Sequence, residues 1–454
     1  MATLREIHGR GKAASIQSVL PPELSQFLAR RTYSLLIKGE AATGKTILAL
    51  SILREIGAES DYLYLSTRVS PSQLFENHPW LAEFAKIERQ TPGGHADEAR
   101  KKERFVDARL DEPVPFFERV TDELMDVRSP TIVVDSWDPI GAMMDSEALV
   151  SNTKVLQTWR ERADAKIVIL IEDSDDISLD SLFDGVVALD RYYEDGRIVR
   201  MLQLSKLSGV KVTRPSPLFT LDGGVFQSFR TYSPLEIEAQ KPEGWVWEKR
   251  GESTGYLELD AMLDRTLPRG TVLSLNLAPG VNSAMVTLLL SGIIGRAASR
   301  SRVVFFRPFE GIGFEKAGGA LGDLIPIDGT PRGGSSGSSD LAESLKGQLQ
   351  KLNGARHGKK VVALAGSEFL LDSGGDGARE RLLEFMRSEI DLSVVVSGND
   401  ASLESAARVA DVSLRLSHIN GTPLLEARLP WTEYFVISMK ADHTRATVGL
   451  VSMV

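Results

Sequence analysis

The chain has 454 residues, of which 42% are hydrophobic and 25% charged, with a formal net charge of −9 at pH 7 and no cysteine. That length exceeds what one hydrophobic core usually organises, so two domains of about 200 residues each are expected. The missing cysteine excludes disulfides, thiolate metal sites and cysteine nucleophiles, and the acidic balance argues against a mainly electrostatic nucleic-acid binder, whose phosphate contacts need clustered Lys and Arg.

The opening MATLREIHGRGKAASIQ contains no apolar signal-peptide core, which makes the cytoplasm the expected location. The first strong signal is YSLLIKGEAATGKTILALSIL. An apolar strand at 33–37 leads into Gly39, Glu40, Ala41, Ala42, Thr43, Gly44, Lys45 and Thr46, and Ile47, Leu48, Leu50 and Leu53 follow at helical spacing. Glycines at the two ends of such a loop let backbone N–H groups close around phosphates. The lysine adds a point charge, and the threonine hydroxyl suits Mg²⁺.

Further strands are expected at 62–65 (YLYL), 131–134 (TIVV) and 167–171 (IVILI), separated by amphipathic helices at about 71–87, 115–127 and 147–163. Asp135 closes the TIVV strand, where an acid would hold the water shell of Mg²⁺. Strands alternating with helices imply a mostly parallel sheet with its ligands at the strands' C-terminal ends. The rhythm then changes: FDGVVALDRYYEDGRIVRMLQLSKLSG reads as strand, Asp-Gly turn, strand, so a hairpin extends the sheet.

The loop from Gly39 to Thr46, the VVDS strand end and the terminal hairpin leading to SKLSG resemble the RecA-like P-loop ATPases of the KaiC and RadA branch over nearly all of residues 30–230. The resemblance implies an ATP or ADP site with Mg²⁺, bound by residues 39–46 and Asp135, with Thr46 and Asp135 on the metal. It also marks departures. Where that family carries paired glutamates that activate water, this chain has Ser66, Thr67 and Arg68, and a guanidinium cannot accept a proton. In the element corresponding to K-x-R-G, Lys206 and Gly209 are present but Ser208 replaces the arginine. Lys206 is then the remaining trans-acting cation, and Glu172, which matches the acid of the sensor strand, is the remaining candidate for water activation. Binding with slow or absent hydrolysis is expected.

The second half opens with STGYLELDAMLDRTLPRGTVLSLNLAPG, similar to the start of a KaiC-like domain through Thr254, Gly255, Leu259, Asp260, Pro268 and Gly270. Laid on the phosphate loop, Leu277 takes the place of the first glycine, Asn282 the second, Ser283 the lysine and Ala284 the metal hydroxyl. Ala365 falls on Asp135, Asp411 on Asp184, Gly421 on Gly196 and Trp431 on Lys206, with separations that drift slowly, as loop-length changes would make them. The expected architecture is α/β: two tandem RecA-like domains, 1–232 with the intact phosphate loop and 253–454 degenerate, joined by a linker at 233–252. The uncharged stretch 271–295 contains Pro279, Gly280 and Asn282, which favours strand, turn and helix over a membrane span. TPRGGSSGSSD at 330–340 reads as a surface loop, and ADEARKKERF at 96–105 as a solvated basic face diluted by its own acids. The six histidines show no metal-ligand spacing.

YLYLSTRVSP further resembles the gas-vesicle regulatory branch, GvpD-like, and its Ser-Thr ending is similar to the archaeal motility ATPase FlaH. The branch implies a nucleotide-dependent regulator whose partner is a protein, a transcriptional activator, with no membrane and only indirect effects on nucleic acid. Two other readings stay open: a slow RadA-paralogue-like ATPase on single-stranded DNA, and a structural homo-oligomer with permanently bound nucleotide.

Overall fold

The computed structural model describes residues 19–56, 61–81, 105–109, 111–124, 129–145, 158, 160–161, 163–172, 177–229, 267–283, 285–286, 289–290, 301–306, 324–327, 341–353, 360–367, 376–398, 409–442 and 445–454. The expected linker at 233–252, the loop at 330–340, residues 96–104 of the basic cluster, residues 254–260 and most of the helix expected at 147–163 lie outside them. The chain divides into two compact units, 1–229 with 453–454, and 230–452.

Among the described residues, the first unit has a seven-stranded sheet of β1 (Tyr33–Lys38), β2 (Tyr62–Ser66), β3 (Phe105–Asp107), β4 (Thr131–Asp135), β5 (Lys166–Ile171), β6 (Gly185–Glu194) and β7 (Arg197–Leu207), and a separate antiparallel pair, β8 (Phe219–Thr220) and β9 (Gln227–Ser228). The seven lie in the order β3-β2-β4-β5-β1-β6-β7, parallel throughout except the β6–β7 hairpin. Every residue of β1, β2 and β4 is buried, which explains why these strands read as unbroken apolar runs: both faces are covered. Alternate residues divide between two cores. Leu35 and Ile37 pack with α1 (Pro22–Leu28) and α2 (Lys45–Ile56), while Leu36, Ile132 and Val134 pack with Phe116 and Val120 of α4 (Pro113–Leu124). The helix expected from residue 71 is α3 (Pro71–Asn77), shorter in the described residues than its apolar spacing suggested. Its start is fixed by Pro71 and by Ser70, whose hydroxyl accepts from Gln73 N at 3.2 Å.

Asp184, just before β6, ties the centre of this sheet together. Its Oδ2 accepts from Ser34 N at 2.9 Å and Ser34 Oγ at 3.1 Å, and from the Arg160 guanidinium. Burial pushes its carboxyl up, but the Ser34 amide and Arg160 outweigh burial and hold it below the ordinary aspartate range. A depressed folded pKa contributes stability that is complete above the unfolded value and is lost as pH falls through the folded one. Asp184→Ala should therefore destabilise the first unit by about 3 kcal/mol at neutral pH, leaving Arg160 and the Ser34 amide unmatched. Amide hydrogen exchange at β1 would record the loss, and the gap between variant and wild type should narrow below about pH 4.

The second unit carries β10 (Thr271–Leu277), β11 (Ser301–Phe306), β12 (Leu324–Ile327), β13 (Lys360–Gly366), β14 (Leu392–Ser397), β15 (Val412–Ile419), β16 (Thr422–Leu429), β17 (Phe435–Asp442) and β18 (Arg445–Ser452). Their order is β12-β11-β13-β14-β10-β15-β16-β17-β18. By rank in the chain, the first seven strands reproduce the order of the first sheet, and β17 and β18 extend it antiparallel. Details repeat as well. Asp411 Oδ2 accepts from Val272 N at 2.9 Å and Oδ1 from Arg387 at 3.1 Å, as Asp184 does with Ser34 and Arg160. The hairpin turns Asp195-Gly196 and Asn420-Gly421 share positive φ at both positions, 49° and 75° against 49° and 76°. Residues 271–277 form a strand followed by a turn at Gly280, and among the described residues no helix is long and apolar enough to cross a membrane.

Candidate functional site: a phosphate loop with its own countercharges

The buried strand β1 delivers the chain to Gly39, where the backbone must bend sharply before α2 begins at Lys45. Gly39 has φ 150°, and a Cβ there would stand 2.6 Å from the Leu189 carbonyl oxygen. At Gly44, with φ 108°, it would stand 2.8 Å from Leu221 Cδ1. Gly39 therefore excludes a side chain on space as well as backbone conformation, and Gly44 on backbone conformation. Ala42 is left-handed at φ 63°, and Thr43 Oγ1 donates to Glu40 O at 2.8 Å, closing the loop on itself. From beneath, Arg200 of β7 donates to the carbonyls of Thr43 and Ala42 at 3.2 and 3.3 Å.

The Lys45 ammonium is folded back into this loop, donating to Gly39 O at 2.6 Å and Glu40 O at 2.8 Å. Burial lowers its pKa, opposed by the negative charges of Glu172, Asp138 and Asp135. Next to it, Thr46 Oγ1 donates to Asp135 Oδ2 at 2.8 Å, and the fully buried Tyr64 hydroxyl donates to the same oxygen. Burial pushes the Asp135 carboxyl up, although Tyr64, Thr46 and Lys45 each favour its ionised form. The residues predicted for a cation, Thr46 and Asp135, are thus in direct contact.

The end of β2 is pinned against this acid. Thr67 N donates to Asp135 O at 2.8 Å, and Thr67 Oγ1 donates to Ser136 O at 2.7 Å while accepting from Ser136 N at 2.8 Å. Arg68, the next residue, pairs its Nη1 with Glu172 Oε1, and the Glu172 amide donates to Asp138 Oδ1 at 2.9 Å. The Arg68 pair is also the largest cause holding the Glu172 carboxyl below its ordinary value. Lys206 stands apart: it donates to Asp180 O at 3.3 Å and does not join the loop group in this unit.

Sequence reasoning did not single out Tyr64, Asp138, His78 or Arg200. Tyr64 and Arg200 lie within strands, where their side chains read as ordinary core and hairpin positions. Asp138 was visible three residues beyond Asp135 but has no motif of its own. Among the described residues, Asp138 Oδ2, Ser136 Oγ and His78 Nδ1 are buried without a hydrogen-bond partner. The glycines at both ends of the loop and an ammonium resting on carbonyls fit a polyphosphate held by residues 39–46 with Lys45. Thr46 and Asp135 fit a divalent cation bound through oxygen.

The second unit handles the equivalent turn differently. Leu277 places a side chain in the core where Gly39 carries none, and Asn282 Oδ1 accepts from Met285 N at 2.9 Å, capping the following helix. Asn276 is buried, donating to Ser413 Oγ at 3.1 Å and accepting from Ser397 Oγ at 2.6 Å. The His418 ring closes over Gly280, where a Cβ would meet Nε2 at 2.7 Å. The side chains of Asn276 and Asn282 are thereby engaged within the unit itself.

Residues 24–205 match the family described as GvpD gas vesicle protein, P-loop domain. The chain is 29% identical over 317 residues to protein GvpD1 of Halobacterium salinarum strain NRC-1, covering 64% of this chain and 57% of that protein. It is 28% identical over 319 residues to protein GvpD2 of the same organism, covering 64% and 62%. The chain thus spans less than two thirds of the length of either relative. From Leu24 to Ser205 this chain is similar to the GvpD-type P-loop domain, a nucleotide-binding fold.

Proposed function

We propose that the first unit binds ATP with Mg²⁺, hydrolyses it slowly or not at all, and uses its nucleotide state to control a protein partner. The observation that carries this reading is Lys45, held on the Gly39 and Glu40 carbonyls beside the Thr46–Asp135 pair. On binding, Lys45 exchanges those carbonyls for phosphate oxygens, and Thr46 and Asp135 orient the cation, which neutralises phosphate charge. The end of β2 supplies Ser66, Thr67 and Arg68 and no general base, which costs roughly 10² to 10⁴ in rate. A missing trans arginine costs roughly 10³ to 10⁵ more.

The relatives are named GvpD proteins and the matched family a gas vesicle protein, and, adding the resemblance carried by YLYLSTRVSP, we propose a role in regulating gas vesicle formation with a transcriptional activator as the protein partner. The second unit, with Leu277, Asn282 and Ser283 at the phosphate positions, serves as a docking body rather than a second nucleotide site. Pull-down of partner proteins with ATP, ADP or no nucleotide tests this: a nucleotide-dependent partner supports it, and DNA-stimulated turnover without one would favour the single-stranded-DNA reading.

Ser283→Lys should restore no nucleotide binding in the second unit, because Leu277 and the Asn282 cap still close the turn. The Lys45→Ala/Ser283→Lys double variant should bind no more ATP than Lys45→Ala alone, measured by equilibrium titration.

A further inference from the structure

Two cations and three carboxylates meet at the phosphate loop: Lys45 and Arg68 against Asp135, Asp138 and Glu172. Four of the five have an evident place in the proposed site or an internal tether. Lys45 and Asp135 belong to the loop and cation positions, Asp138 Oδ1 is fixed by the Glu172 amide, and Glu172 ends β5. Arg68 is different. It begins one residue beyond Thr67, which is locked to Asp135 and Ser136 by three hydrogen bonds, so its backbone is immobile at the edge of the site. Its side chain, 46% exposed, has room to move, and its side-chain partner among the described residues is the 30% exposed Glu172. A guanidinium held this close to an ammonium is repelled by it and gains when an anion arrives between them.

Resting on the nucleotide-binding reading above, we propose that Arg68 is a cis-acting sensor of the terminal phosphate: it leaves Glu172 for the γ-phosphate oxygens of a nucleoside triphosphate, and so sets the preference for tri- over diphosphate. Arg68 occupies the position where a water-activating acid would stand in a hydrolase of this type, and a cation there reads a phosphate rather than attacking it. The exchange also frees the Glu172 carboxylate whenever triphosphate is bound. The pair thereby couples occupancy of the γ-phosphate position to the end of β5. Asp138 remains fixed by the Glu172 amide through the change.

The test compares ATP and ADP affinities by calorimetric titration with Mg²⁺, in the full chain, for wild type, Arg68→Ala, Arg68→Lys and Glu172→Gln. Arg68→Ala should weaken ATP about 10-fold to 100-fold, the worth of a charge-assisted hydrogen bond, and leave ADP within about twofold. Arg68→Lys should recover part of the ATP preference, and Glu172→Gln, which removes the competing carboxylate, should tighten ATP severalfold and not ADP. Equal losses for ATP and ADP in Arg68→Ala, or an unchanged ratio, would overturn the sensor role while leaving nucleotide binding intact. Absence of binding of either nucleotide by the wild type would instead defeat the proposed function itself. Thermal melting of each variant without nucleotide guards against misfolding, and a folded Arg68→Lys with no recovered preference also counts against the sensor.

Discussion

Lys45→Ala is expected to weaken ATP by at least about 100-fold while the unliganded chain stays folded. The ammonium supplies more than one charge-assisted hydrogen bond to phosphate, each contributing about 1.5–3 kcal/mol. Its loss is not made good nearby: Arg200 is committed to the Thr43 and Ala42 carbonyls beneath the loop, and Arg68 is assigned to the terminal phosphate alone. The fold itself loses little: Lys45 is buried chiefly against its own loop, and its two acceptors are carbonyls at a partly open turn. Circular dichroism and melting should match wild type, and titration with ATP should show the loss. A variant that binds ATP normally would place the nucleotide elsewhere.

The second large effect is expected at Asp135, with opposite signs for function and stability. Burial raises this carboxyl above its ordinary value, so the folded chain holds a proton there more tightly than the unfolded chain does. The sign follows: ionisation of Asp135 near neutral pH costs stability, and that cost fades as pH falls through the folded pKa. Asp135→Asn removes the charge while its amide oxygen still accepts from Tyr64 and Thr46. The unliganded first unit should therefore melt a few degrees higher, within the range of about 0.5–2 kcal/mol typical when a functional strain is relieved. Mg²⁺ should then no longer improve ATP binding. A lower melting point together with intact Mg²⁺ dependence would contradict the assignment of Asp135 to the cation.

How much of this was legible in the sequence depended on whether local pattern or long-range contact decided the matter. The strands β1, β2, β4 and β5 were legible because parallel strands with both faces covered must be continuously apolar, and the β6–β7 hairpin because Asp195-Gly196 takes a turn with positive φ at both residues. The loop was legible because its glycines, lysine and threonine sit at fixed spacing. β3 was not: Phe105–Asp107 is three residues long and follows a polar cluster, so it carries no period of its own and exists by pairing with β2. β17 and β18 lie beyond the strand pattern shared by the two units, so the repeat could not announce them.

The site divides in the same way. Residues 39–46 and Asp135 are brought together as their order suggested, since α2 and β4 each start or end at the same edge of the sheet. Glu172 arrives there too, but paired with Arg68, a contact across 104 positions that no local pattern encodes. Arg68 read from sequence only as the absence of a base. Its partner gives it a positive role. Lys206, whose expected role lies on a neighbouring subunit, donates to Asp180 O within its own unit. The degenerate second loop was legible as lost chemistry, and the structure adds what replaced it: an apolar Leu277, an Asn282 cap and a satisfied Asn276 cluster.

The central claim is that one of two sheets with the same strand order holds the nucleotide and the other holds none. Binding stoichiometry measures this directly, by calorimetry of the full chain with ATP and Mg²⁺ at saturating nucleotide. The account predicts one ATP per chain in the wild type and none in Lys45→Ala; two per chain, or one that survives Lys45→Ala, would contradict it.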